Sequence, residues 1–287
     1  IDLGASLGTS FRGFTNDYFG YSEGYGRGGM WFAVFTLRDG AEQEILERVA
    51  PITLRYDRSE CADLPPKVYE RRYVTLSPDQ WKAMDMLVEG LQGQLSNGTL
   101  NIGNVSNMSQ KLAQITGGFI YAETGAFRFA VNPKANELLE ILKEVKDKVI
   151  VYHIFVEEGR IIEDALRKAG IDFRSLRSEI KNKDQQVIDF KNRPDVQVLI
   201  AHPKSGGEGQ NLQVAPCTVF YSEPYDGSVT RAQCEGRTDR IGQTRSTTFI
   251  DLLAEGTIDE HIYDVATGRV KDASRVLAYI RDYRPRS

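Results

Sequence analysis

Cysteine is scarce in this chain of 287 residues: Cys61, Cys217 and Cys234 are the only three, and no two share a Cys-x-x-Cys spacing. A disulfide framework or a structural zinc site therefore lacks its raw material, and a reducing compartment is expected. Histidine is as thin, with His153, His202 and His261 scattered along the chain, which argues against a histidine metal centre. No run approaches the roughly 18 apolar residues that span a bilayer, so an integral helical membrane protein is excluded. There is no excess of one charge either. The 36 basic and 40 acidic residues leave a net charge of −4. A generally basic, histone-like binder is excluded by that balance, while a local basic strip against nucleic acid is not. No charged segment, apolar core and cleavage site open the chain, so no export signal is expected. It begins at Ile1 rather than Met, which reads as an excised or processed piece of something longer.

What is present is the composition of a globular protein, with 41% hydrophobic and 26% charged residues. At roughly 100–200 residues per domain the length allows one large domain or two modest ones. Charge is unevenly spread: residues 1–130 hold 12 basic and 15 acidic residues, and residues 131–287 hold 24 and 25. The first 40 residues are rich in glycine and aromatics, notably over 19–32, and read as a surface loop anchored by its rings; stacking on bases is the alternative. Residues 41–54 read as a short helix stopped near Pro51, and 64–76 as a strand after a Pro-Pro break. Ser77 and Pro78 have the chemistry of an N-cap and first helical residue. Residues 90–107 read as a Gly/Asn/Ser loop, and 107–116 as a helix.

From Pro133 onward apolar strands alternate with amphipathic helices. Strands are expected at 149–155, 172–176, 196–201, 218–221 and 247–253. Helices are expected around 138–145, 161–166, 187–190 and 228–240, with a long one over 258–280. Such alternation requires right-handed crossovers and yields an α/β fold, a mostly parallel sheet covered on both faces.

In such a sheet ligands bind at the carboxyl ends of the strands. Two segments follow such ends. The loop Ala201-His-Pro-Lys-Ser-Gly-Gly-Glu-Gly-Gln-Asn-Leu212 can turn backbone N–H groups toward an anion, with Lys204 and Ser205 joining them at a phosphate. Alone, a Gly-rich loop more often marks a tight strand-to-helix turn. The segment Gln233-Cys-Glu-Gly-Arg-Thr-Asp-Arg-Ile-Gly-Gln243 places Arg237 and Arg240 three apart, on one face if helical, with Gln233 facing the same way. Two guanidinium forks on a rigid face suit a multiply charged phosphate better than lysines would.

Gln233–Gln243 resembles the last motif of superfamily-two helicases in the form used by Swi/Snf-type ATPases. Other segments fall in that family's order. Lys148–Phe155 resembles the opening strand of the second RecA-like lobe, and Asp184–Lys191 the helix after its second strand. Ser205-Gly-Gly-Glu-Gly-Gln-Asn-Leu212 resembles the family's Gly-Gly-x-Gly-x-Asn-Leu loop, and Glu255–Ile262 the start of its terminal helix. Leu54-Arg55, Leu64-Pro-Pro-Lys67 and Leu76-Ser-Pro-Asp-Gln80 resemble the end of the first lobe and its exit. There are departures. Ser222-Glu-Pro-Tyr225 stands where the family often has Asp-x-Trp-Asn-Pro, and Asp239 replaces a usual histidine, which favours a compact bacterial or phage-type translocase over a eukaryotic remodeller.

The resemblance implies a RecA-like doubly wound parallel sheet with helices on both faces, preceded by a smaller, mostly helical or irregular segment. It implies a first-lobe remnant over 1–76, a helical linker or protrusion over 77–132 and the second lobe over 133–287. Arg237 and Arg240 would be catalytic arginine fingers. Gln233, Gly207 and Gly209 would face the nucleotide, and Lys204, Ser205, Gly206 and Asn211 the nucleic acid. No residue is assigned to a metal. ATP and Mg2+ would belong to the complete two-lobe enzyme, whose partners are the first lobe and DNA bound without sequence preference, with no membrane. No Gly-x-x-x-x-Gly-Lys-Ser/Thr loop or magnesium-binding acidic box occurs in these residues, so this piece is expected to be inactive alone. The expected compartment is the bacterial cytoplasm or a phage-infected cell, or the nucleus if the source is eukaryotic. Alternatives are a non-catalytic half-lobe adaptor, or an RNA helicase or restriction motor of the same superfamily.

Overall fold

The computed structural model describes residues 6–25, 31–54, 64–96, 102–122, 125–204, 210–224, 227–270 and 274–285. The chain divides into two compact units, Ile1–Ala62 and Asp63–Ser287.

The first unit contains α1 (Phe11–Tyr18), the antiparallel pair β1 (Phe19–Tyr25) and β2 (Trp31–Leu37), and α2 (Ala41–Val49) running into a 3-10 turn, Ala50–Ile52. The segment read from its glycines as a loop is thus largely a hairpin. Alternation of aromatics outweighs the glycines: Phe19 pairs with Leu37 and Tyr21 with Phe35, the latter rings 6.1 Å apart.

The second unit is built on one six-stranded sheet. Its strands are β3 (Lys67–Val74), β6 (Val149–Tyr152), β7 (Phe173–Ser175), β8 (Val198–Ala201), β9 (Cys217–Phe220) and β10 (Thr247–Ala254), in the order β3-β10-β9-β6-β8-β7. Every pairing is parallel. The central strands read Val-Ile-Val-Tyr and Val-Leu-Ile-Ala and are buried throughout, as a sheet covered on both faces requires. Alternate residues feed opposite layers. Val149, Val151, Val198, Ile200 and Val219 pack with α5 (Pro133–Glu144) and α6 (Val156–Ala169). Ile150, Tyr152, Leu199 and Phe220 pack with α7 (Lys183–Asn192) and α8 (Ser228–Glu235). This is the expected RecA-like architecture.

A third apolar cluster joins α3 (Pro78–Ser96), α4 (Ile102–Gly117), α9 (Ile258–Ala266) and α10 (Ser274–Asp282). Beside it lies the short hairpin β4 (Phe119–Ala122) and β5 (Gly125–Arg128). The N-terminus of α3 is a capping box: Gln80 Oε1 accepts from the Ser77 N–H at 3.1 Å, and Ser77 Oγ accepts from the Gln80 N–H at 3.4 Å. The loop expected over 90–107 is mostly helix, with 97–101 outside the described residues. Gly90 and Gly93 face open space, and buried Val88 and Leu91 hold the helix past them. The long terminal helix is two, because Gly268 after α9 takes φ +70°, a left-handed turn that ends it.

Strand β3 was expected with the first-lobe remnant. It lies at the edge of the second unit's sheet, in register with the whole of β10 from Thr247↔Lys67 to Ala254↔Val74. Sequence proximity to the linker hid this, because a parallel edge strand can come from anywhere along the chain.

Candidate functional site

Strands β6, β8 and β9 are neighbours whose chain connections run in opposite directions across the sheet, and the carboxyl ends at such a switch point are where parallel sheets bind ligands. Arg237 lies over it. Its Nη2 donates to the Pro203 carbonyl, just past β8, at 2.8 Å, and its guanidinium carbon is 5.9 Å from the ring centroid of Tyr152, the last residue of β6. Arg237 is half-buried, and the Arg240 side chain is exposed.

The two arginines do not share a helix. α8 ends at Glu235, and 236–239 form a turn in which the N–H groups of Thr238 and Asp239 both donate to the Glu235 carbonyl, at 3.2 and 3.0 Å. The expectation of a single helical face over 228–240 is therefore corrected: the helix ends at Glu235, two residues before Arg237, and tighter 3-10-like hydrogen bonds follow it. Gln233 stays on α8 and is exposed.

Hydrogen bonds tie this turn to the chain leaving the Gly-rich loop. The Leu212 N–H donates to the Arg237 carbonyl at 2.9 Å, and Gln213 Nε2 donates to the carbonyls of Arg240 and Ile241 at 3.0 and 2.6 Å. Gln243 Nε2 returns the link to the carbonyls of Gln213 and Thr238, at 3.1 and 3.2 Å. Gly242 takes φ +97°, a conformation costly for other residues, and lets the chain turn so that Gln243 reaches inward. The Ile-Gly-Gln ending is thus a device for docking the arginine turn onto the loop. Gln213, which sequence reasoning missed, is its counterpart.

Lys204 and Asn211 flank the loop, both exposed. The Lys204 N–H donates to His202 Nδ1 at 3.1 Å; Asn211 Oδ1 accepts from the Gln213 N–H at 3.1 Å. Ser205, Gly206, Gly207 and Gly209 lie outside the described residues.

Beneath the turn is a buried ionic cluster with no forewarning in the motif. Arg231, 2% exposed, donates from Nη1 to both oxygens of Glu223 at 2.7 and 2.8 Å and to Asp251 Oδ1 at 2.6 Å, and from Nε to Glu235 Oε1 at 2.9 Å. Its guanidinium lies 3.6 Å from the Phe220 ring centroid. Burial pushes the Glu223 and Asp251 carboxyls up, against the pull of Arg231. Burial opposes the charge of Arg231 as well, but Glu223 and Asp251 outweigh it and hold the guanidinium more firmly protonated. The (i, i+4) spacing of Arg231 and Glu235 was the one available signal.

A second buried pair lies nearby, at the carboxyl ends of β9 and β10. Lys134 Nζ meets Asp259 Oδ2 at 2.6 Å, and Asp259 also accepts from the Thr116 hydroxyl at 2.6 Å and the Ala254 N–H at 3.0 Å. Nearby Glu158 accepts from the N–H groups of Ile154 and Phe155 and from the Ser222 hydroxyl; burial raises its pKa. At the end of β6, burial lowers His153 to about 4, and its Nδ1 lies 2.9 Å from the Phe155 carbonyl. Cys217 and Cys234 are buried free thiols pushed up to about 12 by burial, poor nucleophiles both. Among the described residues no group of three or more His, Cys, Asp or Glu is disposed to hold a metal ion. No helix among them is long and apolar enough to cross a membrane.

Comparison with known proteins places this geometry. Residues 133–242 match the family described as helicase conserved C-terminal domain. An uncharacterized ATP-dependent helicase, MG018 of Mycoplasma genitalium, is 26% identical over 246 residues, which is 83% of this chain and 24% of that protein. The chain thus spans about a quarter of that relative's length. Among solved structures, the Sulfolobus solfataricus SWI2/SNF2 ATPase core in complex with dsDNA superposes with a TM-score of 0.60 at 23% identity, over 85% of this chain and 57% of that one. The C-terminal part of the Fun30 ATPase domain gives 0.59 at 18% identity, over 76% of this chain and 98% of that one. At these identities the two structures speak for the fold.

Proposed function

We propose that this chain, whose residues 133–242 match the helicase conserved C-terminal domain, is the second lobe of a superfamily-two, Swi2/Snf2-type ATP-driven DNA translocase. The observation that carries this reading is the placing of Arg237 at the carboxyl ends of β6 and β8, against the Pro203 carbonyl and the Tyr152 ring, with Arg240 exposed three residues on. Residues 1–76 are read as the first-lobe remnant, less strand 67–74, which the sheet claims; 77–132 as a linker or protrusion; and 133–287 as the second lobe.

In this reading ATP sits between the lobes, cradled by the first. Arg237 and Arg240 reach its γ-phosphate and stabilise the charge that develops as it is transferred, a contribution of roughly 10³–10⁵ in rate. Gln233, on the exposed side of α8, faces the nucleotide with Gly207 and Gly209. Lys204, Ser205, Gly206 and Asn211 grip a phosphate backbone, which positions the duplex without reading its sequence. The net charge of −4 is no obstacle, since only the groove needs positive potential. That a neighbouring fold was solved with dsDNA supports a duplex as the track. Closure on ATP and opening on product release alternate the grip of the lobes and step the protein along. Alone, without the first lobe's phosphate loop, the piece would not turn over.

ATPase activity of the full-length gene product, measured alone, with duplex DNA and with RNA, tests the reading. Stimulation by duplex DNA is expected. Stimulation by RNA only would make it an RNA helicase, and no hydrolysis under any condition would make it an adaptor.

A further inference from the structure

Glu235 and Asp239 bracket the chain reversal that carries Arg237, and both are buried. Glu235 is the last residue of α8, where the helix dipole disfavours a carboxylate. Asp239 stands where the resembling family has histidine. Two buried acids here cost stability unless cations answer them. One cation comes from another part of the chain: Lys67 Nζ lies 3.3 Å from Glu235 Oε2 and 3.2 Å from Asp239 Oδ2. Lys67 thereby bridges the two ends of the reversal. It is the first residue of β3, held by its register with Thr247 on β10. Two residues on, on the same face, the Tyr69 hydroxyl donates to Glu235 Oε2 at 2.8 Å. Arg231 holds the other Glu235 oxygen from below.

We propose that Lys67, supported by Tyr69 and Arg231, is a positioning residue for ATP hydrolysis: through Glu235 and Asp239 it fixes the turn on which Arg237 and Arg240 meet the γ-phosphate. It touches no nucleotide. The inference rests on the reading of those two arginines as fingers, and it explains the histidine-to-aspartate departure as half of an ion pair with the edge strand.

The test is DNA-stimulated ATPase of the full-length gene product carrying Lys67→Met, Lys67→Arg or Tyr69→Phe, each with and without Arg240→Ala. Lys67→Met is expected to lower kcat about tenfold (about 1.4 kcal/mol) with KM for ATP within about twofold. Lys67→Arg restores most of the rate. Against Arg240→Ala, Lys67→Met adds less than about twofold, because the group it positions is gone. Lys67 is partly exposed on an edge strand, so the variant should fold. If it does not, Tyr69→Phe, which deletes one hydroxyl, reads the same coupling at about threefold. A kcat loss under twofold, a loss equally large in the Arg240→Ala background, or a change confined to KM overturns the positioning role while leaving the fingers in place. A loss under about tenfold from Arg240→Ala alone brings down the finger reading, and this inference with it.

Discussion

Arg231 and Arg240 stand nine residues apart in one short stretch of chain. Arg231 is 2% exposed among Glu223, Asp251 and Glu235, and Arg240 stands in solvent. The first spends its charge on the fold, and the second keeps it for something outside. The difference arises where α8 stops. Up to Glu235 the helix turns one side toward the sheet; beyond it Thr238 and Asp239 stay buried while Arg240 and Ile241 stand exposed. A guanidinium available for an external phosphate is one that no internal carboxylate has already claimed.

Removing the buried charge should do the greatest damage to stability. Arg231→Met leaves Glu223 and Asp251 without a cation and is expected to cost about 3–5 kcal/mol, read as a fall in the urea midpoint. Adding Glu223→Gln and Asp251→Asn to the same chain should recover much of that loss, since the penalty lies in the orphaned acids. If Arg231→Met is nearly neutral, the two arginines are not the opposites described.

A second buried cation shows whether the contrast is general. Lys134→Met is expected to cost about 3 kcal/mol, toward the low end of that range, because the Thr116 hydroxyl and Ala254 N–H still serve Asp259. A buried group that stays neutral sharpens the comparison from the other side. Burial holds His153 near 4, below its ordinary 6.5; His202 and Arg177 push the same way, and the Phe155 carbonyl and Glu179 oppose them. A depressed histidine means the unfolded chain takes up the proton first. Its contribution is whole above about pH 6.5 and drains away as pH falls toward 4, on the order of 3 kcal/mol in all. His153→Asn should flatten that window in urea titrations run at successive pH values. At the small end, Arg240→Ala should shift stability by no more than about 0.5 kcal/mol.

The sheet was readable because its strands are continuous apolar runs between amphipathic helices, a pattern that only a doubly covered parallel sheet satisfies. Residues 133–254 followed it almost strand for strand. The misreadings share a cause. At 90–107, 228–240 and 258–280 local glycine content and periodicity were weighed without the packing that decides them. Val88 and Leu91 carry a helix past two glycines, while tighter hydrogen bonds after Glu235 and the left-handed Gly268 end helices that periodicity would continue. In the site, Arg237, Arg240 and Gln233 were legible because their spacing is a motif. Arg231, Lys67 and Gln213 were not, since their partners lie far away in sequence: Asp251 for the first, Glu235 and Asp239 for the second, and the carbonyls of Arg240 and Ile241 for the third.

The arginine-finger chemistry turns on Arg240. Its DNA-stimulated kcat should be measured in the full-length gene product carrying Arg240→Ala, beside the urea midpoint of the same protein. The prediction is a rate loss of at least tenfold, toward the roughly 10³ of an arginine finger, with the midpoint unmoved. A loss below about tenfold, or one that merely tracks a fall in stability, would contradict it.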